Sequence, residues 1–592
     1  MKGRSYIGVL VLIVCLNSLL VKYHSYFSDE EDKIYIIYTD NTRNNETSLL
    51  LHYKSLLQQV TKRHLPKTTL QYYKKSFSGF VAKLTKEEAN KMAGLKGVVS
   101  VFLNQKSNIL TTKSWDFIGL TQYVEREYYE SDVVVGVIDS GIWPESSSFD
   151  DKGFGPLRTK WNDSCIAFNF SCNRKIIGAK YYLSTSNEPL SQADFESPRD
   201  SKGHGTHTAS TAAAGNPVTI ASMLGLAQGT TRLFWKLNNT LDVRLVKGKI
   251  VLCEGKEGVE EAFRVGAIGI LMYGPTLPEK ALSYPLPPCF LQTKDVTGIF
   301  KYISSTSNPV ATILKTYELN DKLAPVVASF SSRGPNTAIS EILKPDLTAH
   351  GINILASWPS NLPILDILGE TRKSEFNIKS GTSMSCPHEY GAAAYVKSFH
   401  LTWSPAAILS ALMTTAKKMS LDNNRDAEFG YGAGEVDPDK ALHPGLVYDA
   451  DGFLTTAALQ LITRDNSSCS EITHALARDL NYPSFALKAS HSKQHVSGRF
   501  HRTVTNVGTP FSTYRAIVTP PKGLHIYVIP IVLSFTSLGE NHTYVVIVDG
   551  VLNKSMESAS LTWDDGYFKV KAHTVFESGF SVTRQQIRSF LA

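Results

Sequence analysis

Three residues far apart in this chain have the types that together could activate a nucleophile: Asp139, His204 and Ser383. A serine hydroxyl attacks poorly until a base takes its proton. Histidine is suited to that task near neutral pH, and a carboxylate can fix the imidazole tautomer and stabilise its cation. Ser383 lies in Ser380-Gly381-Thr382-Ser383-Met384-Ser385-Cys386-Pro387-His388, ahead of the small apolar run Gly391-Ala392-Ala393-Ala394-Tyr395-Val396. That run predicts a tightly packed helix with Ser383 in its first turn. There the backbone N–H groups lack helical acceptors and the macrodipole is positive, which suits a developing oxyanion. Taken singly, the three have ordinary roles as an N-cap serine, a capping aspartate and a loop histidine.

The elements that must position them can be read next. Asp139 follows Val133-Val134-Val135-Gly136-Val137-Ile138. An apolar run without alternation predicts a strand buried on both faces of a parallel sheet. An acid just past the carboxyl end of such a strand stands where α/β folds gather their chemistry. His204 sits between two glycines in Asp200-Ser201-Lys202-Gly203-His204-Gly205-Thr206-His207-Thr208-Ala209-Ser210, so little bulk screens it. Small residues continue to Gly215 and predict a helix packed closely on a sheet.

The blocks Ile138-Asp139-Ser140-Gly141-Ile142-Trp143-Pro144-Glu145-Ser146, Gly203-His204-Gly205-Thr206-His207 and Gly381-Thr382-Ser383-Met384-Ser385 resemble the three signature blocks of the subtilisin-like serine proteases (peptidase family S8). They stand in that family's order of Asp, His, Ser. Thr112-Lys113-Ser114-Trp115-Asp116-Phe117-Ile118-Gly119-Leu120 and Ser331-Ser332-Arg333-Gly334-Pro335-Asn336 resemble the plant, cucumisin-like branch. The resemblance implies an α/β subtilisin-like parallel-sheet catalytic domain, an α+β prodomain, an inserted protease-associated domain and a C-terminal fibronectin-III-like β-sandwich. It implies a secreted endopeptidase that acts through Asp139, His204 and Ser383 without a metal or organic cofactor. Its partners would be peptide or protein substrates and its own prodomain, an intramolecular inhibitor removed by cleavage near Leu110-Thr111-Thr112.

The chain departs from the family between Gly225-Leu226-Ala227-Gln228-Gly229 and Lys247-Gly248-Lys249-Ile250-Val251-Leu252-Cys253. Only residues 230–246 stand where subtilases carry several central strands, the substrate-binding strand, the pocket walls and the oxyanion-hole asparagine. No oxyanion asparagine is found: Asn216 belongs to the stretch after the His block, and Asn336 to the Ser-Ser-Arg-Gly-Pro-Asn motif. Loss of one such donor costs about 10²–10³ in turnover, a value measured on subtilisin itself. Missing strands would also strip apolar helices of their partner. The alternative expectation is therefore a catalytically impaired homologue, a pseudoenzyme or the product of an incomplete gene model, acting at most as a binding protein. Glu389 and Tyr390 replace the small residues usual on the Ser383 helix, and a charged Glu389 there would need a partner or water.

Along the chain, Lys2 and Arg4 before the apolar stretch Ile7 to Val21 predict a signal peptide over residues 1–27, with a core short of a membrane span. No later segment reads as a membrane anchor, so the expected location is extracellular, in the apoplast or cell wall if the source is a plant. A net charge of +7 with its basic residues dispersed does not suggest nucleic-acid binding. Residues 28–110 read as the prodomain: strands at 33–38, 76–84 and 97–102, a helix at 49–60, and a capping box of Thr85 and Glu88 opening a helix through Ala93. The catalytic domain spans 111–450, interrupted by the insert at 240–325, for which strands at 249–253 and 267–273 and a helix at 258–266 are predicted. Ser404-Pro405 opens a helix through Ala416. Short strands at 514–518, 526–529 and 544–548 predict the sandwich over 475–592. Once Cys15 leaves with the signal, six cysteines remain. Cys165 and Cys172 form the favoured disulfide, Cys253 and Cys289 a weaker one, Cys386 reads as a buried thiol, and no spacing suits zinc. Glycosylation candidates are Asn45, Asn162, Asn169, Asn238, Asn466, Asn541 and Asn553.

Overall fold

The computed structural model describes residues 33–39, 46–61, 69–73, 79–103, 114, 118–120, 124, 133–155, 165, 169–182, 196–213, 230–235, 241–255, 258–274, 283–313, 324–336, 339–449, 477–489, 495–554 and 556–578. The signal stretch, Leu110-Thr111-Thr112, Asn45, Asn162, Asn216, Asn238, Asn466 and Cys469 lie outside the described residues. The chain divides into two units, one of residues 1–108, 220–277 and 284–318, the other of 109–219, 278–283 and 319–592.

The first unit opens with Lys33–Thr39 (β1), Glu46–Val60 (α1), Thr69–Tyr73 (β2), Gly79–Leu84 (β3), Lys86–Ala93 (α2) and Val98–Leu103 (β4). The strands pair antiparallel in the order β2-β3-β1-β4. Ile37, Tyr53, Leu57, Phe80, Leu84 and Met92 form the core, with the Tyr53 and Phe80 rings 4.7 Å apart. The capping box is complete. Thr85 Oγ1 accepts the Glu88 N–H at 3.2 Å, and the Thr85 N–H donates to Glu88 Oε2 at 2.9 Å. Such a cap stabilises a helix by about 1 kcal/mol.

The same unit contains Thr230–Trp235 (β5), Ile250–Glu254 (β6), Gly258–Arg264 (α4), Gly269–Gly274 (β7), Pro288–Gln292 (β8), Thr293–Ser305 (α5) and Val310–Thr312 (β9). The order is β8-β7-β6-β5-β9, parallel except for the β5–β9 pair. Alternate residues of β6 and β7 point to two separate cores, Val251, Cys253, Ile270 and Met272 to one, Ile250, Leu252 and Leu271 to the other. This explains their unbroken apolar sequence. It also corrects the second disulfide expectation. Cys253 belongs to the first core, Cys289 packs against the second, and both are free thiols. A second correction concerns residues 230–246. Their first six residues are a strand of this sheet, so they do not stand in for the catalytic segment.

In the second unit the catalytic region contributes His204–Ala213 (α3), the antiparallel pair Ile354–Ser357 (β10) and Phe376–Lys379 (β11), Thr382–Phe399 (α6) and Pro405–Thr414 (α7). Ser404 caps α7, accepting the Ala407 N–H at 3.0 Å. Helices α6 and α7 enclose a core of Leu347, Ala392, Val396, Ala411, Leu412 and Val436. The expected parallel sheet is corrected: among the described residues of this region none forms. The run Val133–Ile138 pairs with no strand there, and Ile138 is 104% exposed. A strand buried on both faces needs flanking strands and covering helices, at about 30 residues per βαβ unit. Only residues 214–229 separate α3 from β5.

The C-terminal part is a two-sheet sandwich of Leu446–Val447 (β12), Ser484–Ala489 (β13), His495–Asn506 (β14), Ser512–Thr519 (β15), Leu524–Ile529 (β16), Val532–Phe535 (β17), Asn541–Val551 (β18), Met556–Asp564 (β19) and Lys569–Ser578 (β20). The sheets are ordered β12-β14-β18-β16 and β13-β20-β19-β15-β17. Between them lie Phe485, Phe500, Tyr514, Tyr544, Trp563 and Phe576. This core joins the catalytic region. The buried hydroxyls of Tyr448 and Tyr544 are 2.8 Å apart, and Val575 packs with Leu343 and Phe429.

Candidate active site

Asp139 and His204 are brought into contact, with His204 Nδ1 2.7 Å from Asp139 Oδ1. That oxygen also accepts the Ser140 N–H at 2.7 Å, and Oδ2 accepts the Thr208 hydroxyl at 2.9 Å. Burial alone would raise the Asp139 pKa. The Ser140 N–H, His204 and Thr208 outweigh it and hold the carboxyl below its ordinary value. An ionised Asp139 keeps the proton on Nδ1 and leaves Nε2 to act as base.

The glycines around His204 have spatial causes. Gly203 has φ +83°, and a Cβ there would lie 2.4 Å from the Trp358 ring. A Cβ on Gly205 would lie 2.2 Å from the Gly141 carbonyl oxygen and 3.1 Å from Asp139 Cβ. The start of α3 is therefore pressed between the Asp139 loop and an indole, which is anchored by its own N–H to the Pro363 carbonyl at 3.0 Å. His207, one turn into α3, is buried with Nε2 3.1 and 3.2 Å from the carbonyls of Ile354 and Asn377. It fastens the helix to β10 and β11. Burial depresses its pKa to about 4.

Ser383 is the second residue of α6. Its turn is pinned by the Gly381 N–H on the Gly351 carbonyl at 2.9 Å, the Ser385 hydroxyl on the Ala349 carbonyl at 2.5 Å, and the Asn353 N–H on Ser380 Oγ at 2.8 Å. Helices α3 and α6 touch through small residues. A Cβ on Gly391 would lie 3.3 Å from the Ala212 carbonyl oxygen. Among the described residues no hydrogen bond joins Ser383 to His204; free enzymes commonly close that contact only when substrate binds.

Two expectations around Ser383 need revision or completion. Cys386 is an exposed free thiol, because its position on α6 faces away from the α6–α7 core. Glu389 has charged neighbours. Burial and then Asp346 raise its pKa to about 7, with Lys344 opposing. Lys344 Nζ is itself committed to Asp346, at 2.6 and 2.8 Å from its two oxygens, and the Tyr482 hydroxyl donates to Asp346 as well.

Asp200 escaped the sequence reading. It is fully buried and accepts five hydrogen bonds, from Ser140 of the Asp139 loop, from Lys202 and Gly203 just before α3, and from Thr206 in its first turn. An acid four residues ahead of His204, before the turn Ser201-Lys202-Gly203, was the available signal. Elsewhere, Cys165 and Cys172 are disulfide-bonded, and Asn169, Asn541 and Asn553 are exposed. Among the described residues no cluster of His, Cys, Asp and Glu could hold a metal, and no helix is long and apolar enough to cross a membrane.

Comparison with known proteins adds three family matches. A Subtilase family model matches residues 130–251 and 260–432, a Peptidase inhibitor I9 model residues 34–109, and a Fibronectin type-III domain model residues 479–576. The Arabidopsis thaliana subtilisin-like protease SBT4.4 is 34% identical, over 95% of this chain and 98% of its own. SBT4.3 of the same plant is 36% identical, over 92% and 96%. Those alignments extend over 739 and 713 positions, against the 592 residues of this chain. Among solved structures, an epidermin leader peptide processing serine protease from Staphylococcus aureus is 13% identical, over 70% of this chain and 99% of its own, with a TM-score of 0.22, too low to carry a structural argument.

Proposed function

The chain belongs to the subtilase family, and from that premise we propose that it is a secreted serine endopeptidase made as a self-processed zymogen. Ser383 attacks the peptide carbonyl while His204 Nε2 takes its proton and then passes it to the leaving amine. Asp139 holds the imidazole tautomer and stabilises the imidazolium, and water releases the acyl-enzyme. The observation that carries this reading is the 2.7 Å contact of Asp139 with His204 at the start of a helix packed on the Ser383 helix. The N–H groups of the first turn of α6 receive the oxyanion. The missing asparagine slows turnover by about 10²–10³ relative to a complete site. The inhibitor unit over 34–109 blocks the cleft until the chain is cut near Leu110-Thr111-Thr112. The five-stranded insert serves as a protease-associated module, and Asn169, Asn541 and Asn553 are exposed glycan acceptors. The extracellular space of a plant tissue is the setting that suits the disulfide and these acceptors.

A second reading is favoured by two observations, the exposure of Val134, Val137 and Ile138 and alignments longer than the chain itself. In it the chain is a catalytically impaired homologue, or the product of an incomplete gene model, that binds peptides without cutting them. Secreted expression beside a Ser383→Ala control, with N-terminal sequencing and a fluorophosphonate probe, separates the two. The peptidase reading expects a product starting near Thr111 or Thr112, probe labelling, and an uncleaved control. An uncleaved, unlabelled chain in both cases leaves the second.

A further inference from the structure

We infer that Asp200 is a positioning residue that clasps the Asp139 loop to the first turn of α3, and so sets the contact between Asp139 and His204; its catalytic meaning rests on the peptidase reading above. Asp200 is 0% exposed, and its two oxygens are met by five hydrogen-bond donors. Oδ1 accepts from the Ser140 hydroxyl at 2.9 Å, the Lys202 N–H at 3.0 Å and the Gly203 N–H at 2.7 Å. Oδ2 accepts from the Thr206 N–H at 2.8 Å and the Thr206 hydroxyl at 2.6 Å. Ser140 is the neighbour of Asp139, while Gly203 and Thr206 flank His204.

The ties continue on both sides. Ser140 Oγ accepts the Gly205 N–H at 2.9 Å, so one hydroxyl bridges Asp200 to the residue after His204. Thr206 Oγ1 accepts the Trp143 N–H at 3.1 Å. The Asp200 N–H reaches the Ile142 carbonyl at 3.2 Å, and the Ile142 N–H reaches the Pro198 carbonyl at 2.9 Å. Five donors converging on two oxygens require an acceptor-only group. Asparagine would turn an amide donor onto at least one of them. The negative charge also lies at the positive end of α3. Among the described residues the Asp139 loop meets the segment before α3 through one parallel bridge, Ile142 with Arg199, and through this clasp. Misplacement of catalytic groups by about 1 Å can cost about 10²-fold in rate.

The test compares the full-length chain with Asp200→Asn, Ser140→Ala and the double variant. Asp200→Asn is expected to lower the second-order rate of fluorophosphonate labelling at Ser383 by about 10–100-fold. It is also expected to alter the pH profile of that labelling, and to speed backbone amide hydrogen exchange at Gly203, Gly205 and Thr206, read by mass spectrometry, while the sandwich strands stay unchanged. Ser140→Ala keeps Asp200 and removes only the bridge to Gly205. It should shift the labelling and exchange readouts the same way by less, and the double variant should fall short of the sum. If wild type is not labelled, the peptidase reading fails, while the amide exchange still decides the role of Asp200. A folded Asp200→Asn with unchanged exchange and rate overturns the inference. Should that variant not fold, unchanged exchange in Ser140→Ala overturns it instead.

Discussion

Strand β14 buries every second residue from Val496 to Asn506 and pairs with β12 and β18, whereas Val133–Ile138, more apolar residue for residue, pairs with no described strand and leaves Ile138 in solvent. The two segments differ in their surroundings more than in their own chemistry. β14 has a partner on each edge and a second sheet across its buried face. Val133–Ile138 ends at Asp139 with neither among the described residues. Hydrophobicity nominates a strand, but the free energy is released only when another apolar surface is there to exclude water with it. The described residues of the catalytic region keep local order where polar contacts hold them, at Asp139, Asp200 and the start of α3.

The comparison can be strained from the sandwich side first. Trp563, fully buried among the sandwich aromatics, should lose about 3–5 kcal/mol on Trp563→Ala, enough to abolish a cooperative melt of the second unit in calorimetry. On the catalytic side, Gly203→Ala forces a strained φ and a methyl into the Trp358 ring, and should cost about 1–3 kcal/mol in denaturant titration. A cost near zero would mean that the start of α3 is not held as described.

A third test uses pH. Burial raises Glu389 to about 7, and it raises Glu435 to about 7 despite Lys417. A carboxyl whose folded pKa is raised gives stability that is complete below its ordinary value of 4.5 and is lost as pH rises through 7. His207 and His388, depressed by burial to about 4, act with the opposite sign. Their stability is complete above 6.5 and is lost as pH falls through 4. Thermal stability should therefore peak between pH 4.5 and 6.5, and Glu389→Gln should flatten the limb above pH 6. A melt that keeps strengthening from pH 6 to 8 in the wild type would show that these carboxyls are hydrated. The smallest effect is expected at Ile138→Ser, within about 0.5 kcal/mol, because the side chain already meets water. A loss of several kcal/mol would show a buried strand after all.

What could be read from sequence follows the same division. The capping box at Thr85 and Glu88, the Ser404–Pro405 helix start and the alternating sandwich strands are local devices, and each carries its signal within a few residues. The strand Thr69–Tyr73 was overlooked although its β-branched and aromatic content was visible. Asp139, His204 and Ser383 were legible as types and spacings. The contact between Asp139 and His204, and the five bonds to Asp200, depend on how a loop meets a helix. Val133–Ile138 misled because an all-apolar run states a need for partners without saying whether the chain supplies them. The place of Thr230–Trp235 was hidden for the related reason that its partners, β6 and β9, lie on either side of a long excursion.

The seam between the catalytic region and the sandwich has a consequence for ancestry. Tyr448 shares its buried hydroxyl contact with Tyr544, and Val575 completes a cluster begun by Leu343 and Phe429. A gene rearrangement that exchanged the sandwich for another module would open the catalytic region's own interior, and one that exchanged the catalytic region would unseat β12 from the sandwich sheet. Recombination that separates the two carries a folding penalty, so they are fit to be inherited as a pair.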